Sequence, residues 1–354
     1  MCILFWSTDH PTYSFICASN RDEFLKRPTL KAGWHDFSKL EGGGGGGGGG
    51  DSGVGDDNGN HSPSSILSGR DSDPNGGGTW LGVNRNGLFG ALLNFTEDPP
   101  SPPQGLDRFR SRGDLVREWL TFSSGKPKDV ELDTKVEAAG EEEAVGLERY
   151  LQDLRDRLDH YPGFNLLLGD LSTDPVRVGY LTNRTPQGCL ARANQPHYPP
   201  SIHVGGLSNS VLQQPWSKVE QGKCSFREAL SEWDLERRSE GGEAEETKVE
   251  DESLAEKLFK VLWTSSDPPP KDKTNLRGSV LISPVGGAHV PGGWYATRTS
   301  TVILVRRKDR KATFFERDVF GLGVDGNPVK LFHNDESLNR RQERRFEWTL
   351  EQPR

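Results

Sequence analysis

The chain has 354 residues and a formal net charge of −8, with acidic side chains concentrated in polar segments and no basic stripe of the kind nucleic acid requires. Its four cysteines (Cys2, Cys17, Cys189, Cys224) lack metal-ligand spacing, and in a chain of this length they read as reduced thiols of a cytoplasmic protein rather than as a disulfide framework. No apolar run approaches transmembrane length, and Ile3–Trp6 is too short, and has no positive region before it, to be a signal peptide.

Two apolar runs at the chain start, Ile3–Trp6 and Tyr13–Ala18, are separated by a turn-rich gap and read as a β-hairpin. Its second strand alternates Tyr13, Phe15 and Cys17 against Ser14, Ile16 and Ala18. The hairpin brings Cys2 to the same sheet end as the polar cluster Asn20-Arg21-Asp22-Glu23. Residues from about 38 to 76 contain the glycine run Gly42–Gly50 and almost nothing apolar, so they read as a disordered insertion. The acidic stretch 236–252 and the charged tail 332–354 read the same way, leaving one domain over residues 1–331.

Strands are expected at Thr79–Val83 and Leu88–Phe95, joined by the Asn84-Arg85-Asn86-Gly87 turn. Ser111 with Asp114 has the spacing of a helix cap before Leu115–Leu120. Leu147, Tyr150, Leu151, Leu154 and Leu158 fall on one helical face. Strands follow at Phe164–Asp170 and Val176–Asn183, then a glycine-rich loop at Gly205–Ser210 and a helix including Lys218–Trp233. Leu254, Leu258, Phe259 and Leu262 mark another helix, and strands close the chain at Ser279–Ser283, Thr297–Val305 and Thr313–Val319. Strands and helices come in blocks, which favours an α+β fold.

The chemistry concentrates at the amino terminus. A small residue after Met1 permits its removal, which leaves Cys2 with a free α-amine of pKa roughly 8 beside its own thiol. That amine can take the thiol proton, the amino-terminal nucleophile arrangement. Asp22 is placed to orient the amine, Arg21 to lower the thiol pKa, and Asn94 and Asn183, each at a strand end, to donate to an oxyanion. Read singly, both asparagines fit turn formation equally well, and Asn20–Glu23 fits a polar turn.

Met1-Cys2, Asn20-Arg21-Asp22-Glu23, Gly78–Gly82, Gly163–Leu167, Gly206–Ser210 and Thr297–Leu304 together resemble the NRDE family, the transport and Golgi organisation 2 proteins, from Met1 to about Leu331. That family is in turn similar to the cysteine amino-terminal nucleophile (Ntn) hydrolases that cleave bile-salt and penicillin amides. The resemblance implies a four-layer αββα sandwich, with Asn94 and Asn183 at oxyanion positions and Asp22 against the nucleophile's amine. Those hydrolases carry arginine three residues before the aspartate, where this chain has Ser19. Arg21 lies two residues on, on the same strand face, and a second arginine of the hydrolases falls near Lys218. The family implies roles in Golgi organisation and secretion, haem mobilisation and lipid or acyl-CoA homeostasis. It implies no required cofactor, haem as a transported ligand, and a small apolar anionic partner such as haem or an acyl thioester. Transient association with Golgi or mitochondrial membranes is the corresponding expectation.

Overall fold

A computed structural model describes residues 1–37, 54–55, 61–62, 65–74, 77–98, 101–102, 106–122, 145–191, 194–199, 203–239, 247–287, 289, 291–332 and 342–351. Two six-stranded antiparallel sheets face one another. The first contains β1 (Ile3–Ser7), β2 (Tyr13–Phe24), β11 (Gly205–Leu207), β12 (Tyr295–Arg306), β13 (Lys311–Asp318) and β16 (Arg344–Thr349), in the spatial order β11-β1-β2-β12-β13-β16. The second contains β3 (Thr29–His35), β6 (Ile66–Asp71), β7 (Leu81–Asn84), β8 (Leu88–Asn94), β9 (Phe164–Asp170) and β10 (Arg177–Thr182), in the order β10-β9-β8-β7-β6-β3. β4 (Val54–Gly55) with β5 (His61–Ser62) and β14 (Phe320–Leu322) with β15 (Pro328–Lys330) form two further two-stranded ribbons.

Alternation along the strands builds the layers. Phe15 and Cys17 of β2 join Phe89 and Leu167 of the second sheet in the core between the sheets. Ile16 and Ala18 face outward, against Phe226 of α3 (Ser217–Ser239) and Leu258 of α4 (Thr247–Leu262). The second sheet is covered in the same way by Val116 of α1 (Gly113–Leu120) and Leu151 of α2 (Val145–Leu154), which pack on Leu166 and Leu168. The result is the expected α+β, αββα sandwich. Tyr13 departs from the expected alternation: the β2–β12 register shifts between Val305 and Arg306, and Tyr13 joins the helix side, where its hydroxyl donates to Asp251 at 2.8 Å.

Several compositional readings are corrected. Part of the expected insertion, Ile66–Asp71, is a strand paired on both sides, with Ile66, Leu67 and Ser68 buried. Part of the tail, Arg344–Thr349, pairs with β13 and buries Trp348. The acidic stretch is helical at both ends, since α3 runs to Ser239 and α4 starts at Thr247. Gly205–Leu207 is an edge strand rather than loop, whereas Ser279–Ser283 is not a strand and bonds through Leu281 N–H to Thr264 O. The glycine run Gly42–Gly50 lies outside the described residues.

Candidate functional site

The opening hairpin forms as expected. Ile3 pairs with Asn20 and Leu4 with Ser19, which sets the chain start beside the end of β2. Ser19 donates its hydroxyl to Ile3 O at 3.0 Å and so reinforces that pairing. On the other side of β2, Asp22 pairs with Thr297 of β12. The carboxylate is buried, Oδ1 accepts from Thr297 Oγ1 at 2.6 Å, and Oδ2 stands 3.5 Å from the α-amine of Met1. That amine also donates to the hydroxyl of Tyr295, which in turn donates to Asp22 O at 3.0 Å.

Three more groups hold the first peptide units. Lys218, wholly buried in the first turn of α3, donates to Met1 O at 3.0 Å. Ser208 donates to Cys2 O at 2.7 Å, and the Cys2 thiol points to Asp22 O at 3.7 Å. Asn165, fully buried, fixes the Ser208 loop by donating to Ser208 O at 3.3 Å.

Burial dominates the electrostatics here. It pushes the Asp22 carboxyl up, against the opposing pull of the Met1 amine, Lys218 and the Thr297 hydroxyl. It pushes the Met1 amine and the Lys218 ammonium down, against the pull of Asp22 and Cys2 on each. The Cys2 thiol is pushed up by burial, with the Met1 amine opposing, so with Met1 attached the sulfur is held as the neutral thiol.

Cys2, Arg21, Asp22 and Asn94 all line one cleft of about 310 Å³, with Trp80, Leu92, Phe109 and Pro162 as its apolar wall. Arg21 projects from the β2 face toward the second sheet and stacks on Trp80, 3.9 Å from guanidinium carbon to ring centre. Asn94 is exposed at the end of β8. Asn183 is placed differently. It is fully buried, its Oδ1 accepts from Phe164 N–H at 2.9 Å, and its Nδ2 donates to Leu158 O at 2.9 Å and Tyr161 O at 3.0 Å. Its side-chain amide is committed to holding the turn before β9, and it does not line the cleft. Among the described residues no group of three or more His, Cys, Asp or Glu side chains converges as a metal site, and no helix is long and apolar enough to cross a membrane.

Tyr295, Ser208, Trp80 and Arg112 belong to the site or its walls and were assigned no role from sequence. The signal was present for two of them, since Trp80 lies within Gly78–Gly82 and Ser208 within Gly206–Ser210. What spacing alone could not supply was which strand end each would meet.

The sequence matches the family described as Transport and Golgi organisation 2 over residues 1–48 and 58–320. It is 30% identical over 358 residues to the Transport and Golgi organization protein 2 homolog of Homo sapiens, covering 99% of this chain and 100% of that one. It is 27% identical over 340 residues to the Drosophila melanogaster Transport and Golgi organization protein 2, covering 92% and 95%. Among solved structures it is similar to a penicillin V acylase from Agrobacterium tumefaciens (TM-score 0.40, 13% identity, 89% of this chain and 82% of that one). A conjugated bile acid hydrolase mutant from Clostridium perfringens is also similar (TM-score 0.37, 9% identity, 100% and 98%). The chain therefore belongs to the Transport and Golgi organisation 2 family.

Proposed function

We propose that this protein acts in Golgi organisation and secretion by binding a small apolar anionic ligand, haem or an acyl thioester, in the cleft beside its amino terminus. The observation that carries this reading is the cleft's double character: an apolar wall of Trp80, Leu92, Phe109 and Pro162 meets the guanidinium of Arg21 next to Cys2. A volume of about 310 Å³ suits one edge of a haem or the thioester end of an acyl chain. Haem titration followed by absorbance, and titration with a long-chain acyl thioester followed by calorimetry, test it. At least one should saturate at micromolar concentration and weaken in Trp80→Ala. Absence of saturable binding by both overturns it.

A second reading has its own support. Asp22 Oδ2 is buried with no hydrogen bond, and an α-amine stands 3.5 Å from it. Excision of Met1 makes the Cys2 amine the one that seeks this carboxylate, beside its own thiol. Cys2 then becomes a candidate nucleophile for amides or thioesters, with Asn94 as the oxyanion donor left in the cleft. Intact mass, followed by trapping with an electrophilic lactone, decides the matter. A purified protein that retains Met1 sinks the hydrolase reading, because the base is then not formed.

A further inference from the structure

The helix α1 opens onto the cleft, which Ser111, Arg112 and Gly113 line. Sequence spacing assigns Ser111 as its cap, yet the structure turns the Ser111 hydroxyl to Gly77 O at 3.3 Å. The cap position falls on Arg112, in helical conformation and with no side-chain hydrogen bond to the helix end. The helix start is pinned there by close backbone packing. A Cβ on Gly78, which has φ +71°, would stand 2.2 Å from Gly113 O, and Thr79 N–H bonds that same oxygen at 3.2 Å. Asp114 N–H and Leu115 N–H bond Ser111 O and Arg112 O at 3.1 Å each, so what the cleft wall presents is the positive end of the helix dipole without a side-chain cap.

The charges around it are unevenly matched. Arg27 is answered by Asp71 at 2.7 Å and Glu23 at 3.9 Å, and Arg110 by Glu118 at 2.8 Å. Glu23 also accepts from Phe24 N–H at 2.7 Å, and Asp22 faces the Met1 amine. Two guanidiniums remain. Arg21 is only 7% exposed and stacks on Trp80, but makes no hydrogen bond or ion pair among the described residues. Arg112 donates to Gly163 O at 2.9 Å and has no carboxylate within ion-pair distance among them. Burial lowers its pKa to about 10, with Glu97 and Glu23 opposing. A buried cation without counter-charge is costly, and here the buried Arg21 and the half-buried Arg112 line the same cleft as the start of α1.

We propose that this end of the cleft is a seat for an anionic oxygen group of the ligand, a carboxylate or a phosphate. Arg21 holds it from the β2 side, and Arg112, at the positive end of α1, from the other. Guanidinium forks match the paired oxygens of such a group, and the helix dipole favours its negative charge. The inference rests on the reading of the cleft as a ligand site and adds where the ligand's charge lies.

Calorimetric titration of the full chain in low-chloride buffer with phenylacetate, phenyl phosphate and neutral phenylacetamide tests the seat. At least one anion should bind about tenfold or more tighter than phenylacetamide, and Arg21→Gln and Arg112→Gln should each reduce that anion-over-amide preference about tenfold. Which anion wins separates a carboxylate from a phosphate. The comparison of acid with amide on the unmodified chain needs no variant, so it stands even if one variant fails to fold. Phenylacetamide binding as tightly as both anions overturns the seat and leaves the apolar-cleft reading intact. So does failure of both anions on a protein that saturates with haem or an acyl thioester.

Discussion

The α-amine of Met1 stands 3.5 Å from Oδ2 of Asp22, so the first atom of the chain is docked on a buried carboxylate at the end of β2. Three contacts maintain that docking: the Tyr295 hydroxyl at the amine, Lys218 at Met1 O and Ser208 at Cys2 O. The position of Cys2 is therefore set by the β1–β2 and β2–β12 pairings rather than by a free chain end.

The charge of Asp22 opposes the effect of burial on that amine. In Asp22→Asn the opposing charge is gone, and the amine's pKa must fall further below 8 than in the parent chain. The pH dependence of amino-terminal acetylation, read by mass spectrometry of the Met1-retaining form, should give a lower midpoint in the variant. Coincident midpoints would show that the pair does not exist in solution.

Asn94 and Asn183 look alike in sequence and should behave oppositely. Asn183→Ala leaves the buried Phe164 N–H and the carbonyls of Leu158 and Tyr161 without their partner. The expected loss is about 2–4 kcal/mol of stability. Asn94→Ala removes an exposed side chain at a strand end and should cost less than about 0.5 kcal/mol, while altering whatever binds in the cleft. Urea denaturation of the two variants separates the cases. Equal stability losses would mean that the placement of Asn183 is wrong.

That contrast marks how far the sequence carried. The opening hairpin and the gathering of Cys2, Arg21 and Asp22 at one sheet end were legible, because period-two alternation and a turn-rich gap determine a hairpin and its register locally. The strand Ile66–Asp71 was not. Only Ile66 and Leu67 of its six residues are apolar, Gly69 and Asp71 are types that strands disfavour, and averaging composition with the long glycine-rich stretch beside it hid the pair. Arg344–Thr349 was hidden by its own charges, which are paired in the fold: Arg344 meets Asp318 at 2.7 Å, and Arg345 meets Glu252. The role of Asn183 depends on a turn contributed by Leu158–Pro162, a tertiary fact that no local pattern contains.

His35 makes stability depend on pH. It is buried on β3 with Nε2 2.8 Å from Ser68 Oγ, and burial with the nearby Arg70 lowers its pKa from 6.5 to about 4. Between those values the unfolded chain binds a proton that the folded chain does not, so stability falls as pH drops from 6.5 toward 4. From pH 7.5 to pH 5 the contribution is about 2 kcal/mol. His35→Gln should flatten the pH dependence of the urea midpoint by about that amount relative to the parent chain, with other buried titrating groups cancelling in the comparison. Parallel curves would mean that His35 titrates alike in both states.

Gly222 offers a case in which two principles disagree and magnitude decides. It lies inside α3, where alanine in place of glycine ordinarily stabilises a helix by about 1 kcal/mol. Here, however, a Cβ would stand 2.1 Å from Cζ of Phe5 on β1. That ring cannot retreat, since Phe5 is fully buried and packs on Phe226 with ring centres 5.9 Å apart. Overpacking of a core costs roughly 1–3 kcal/mol, and a contact this short lies at the upper end, so it outweighs the gain in propensity. Gly222→Ala should lower stability by about 1–2 kcal/mol net. In Phe5→Leu, which removes the opposing ring edge, the same change should become neutral or stabilising, because only the helix term is left. A double-mutant cycle by urea denaturation reads the sign reversal, and purely additive effects would show that α3 does not lie against β1 at this position.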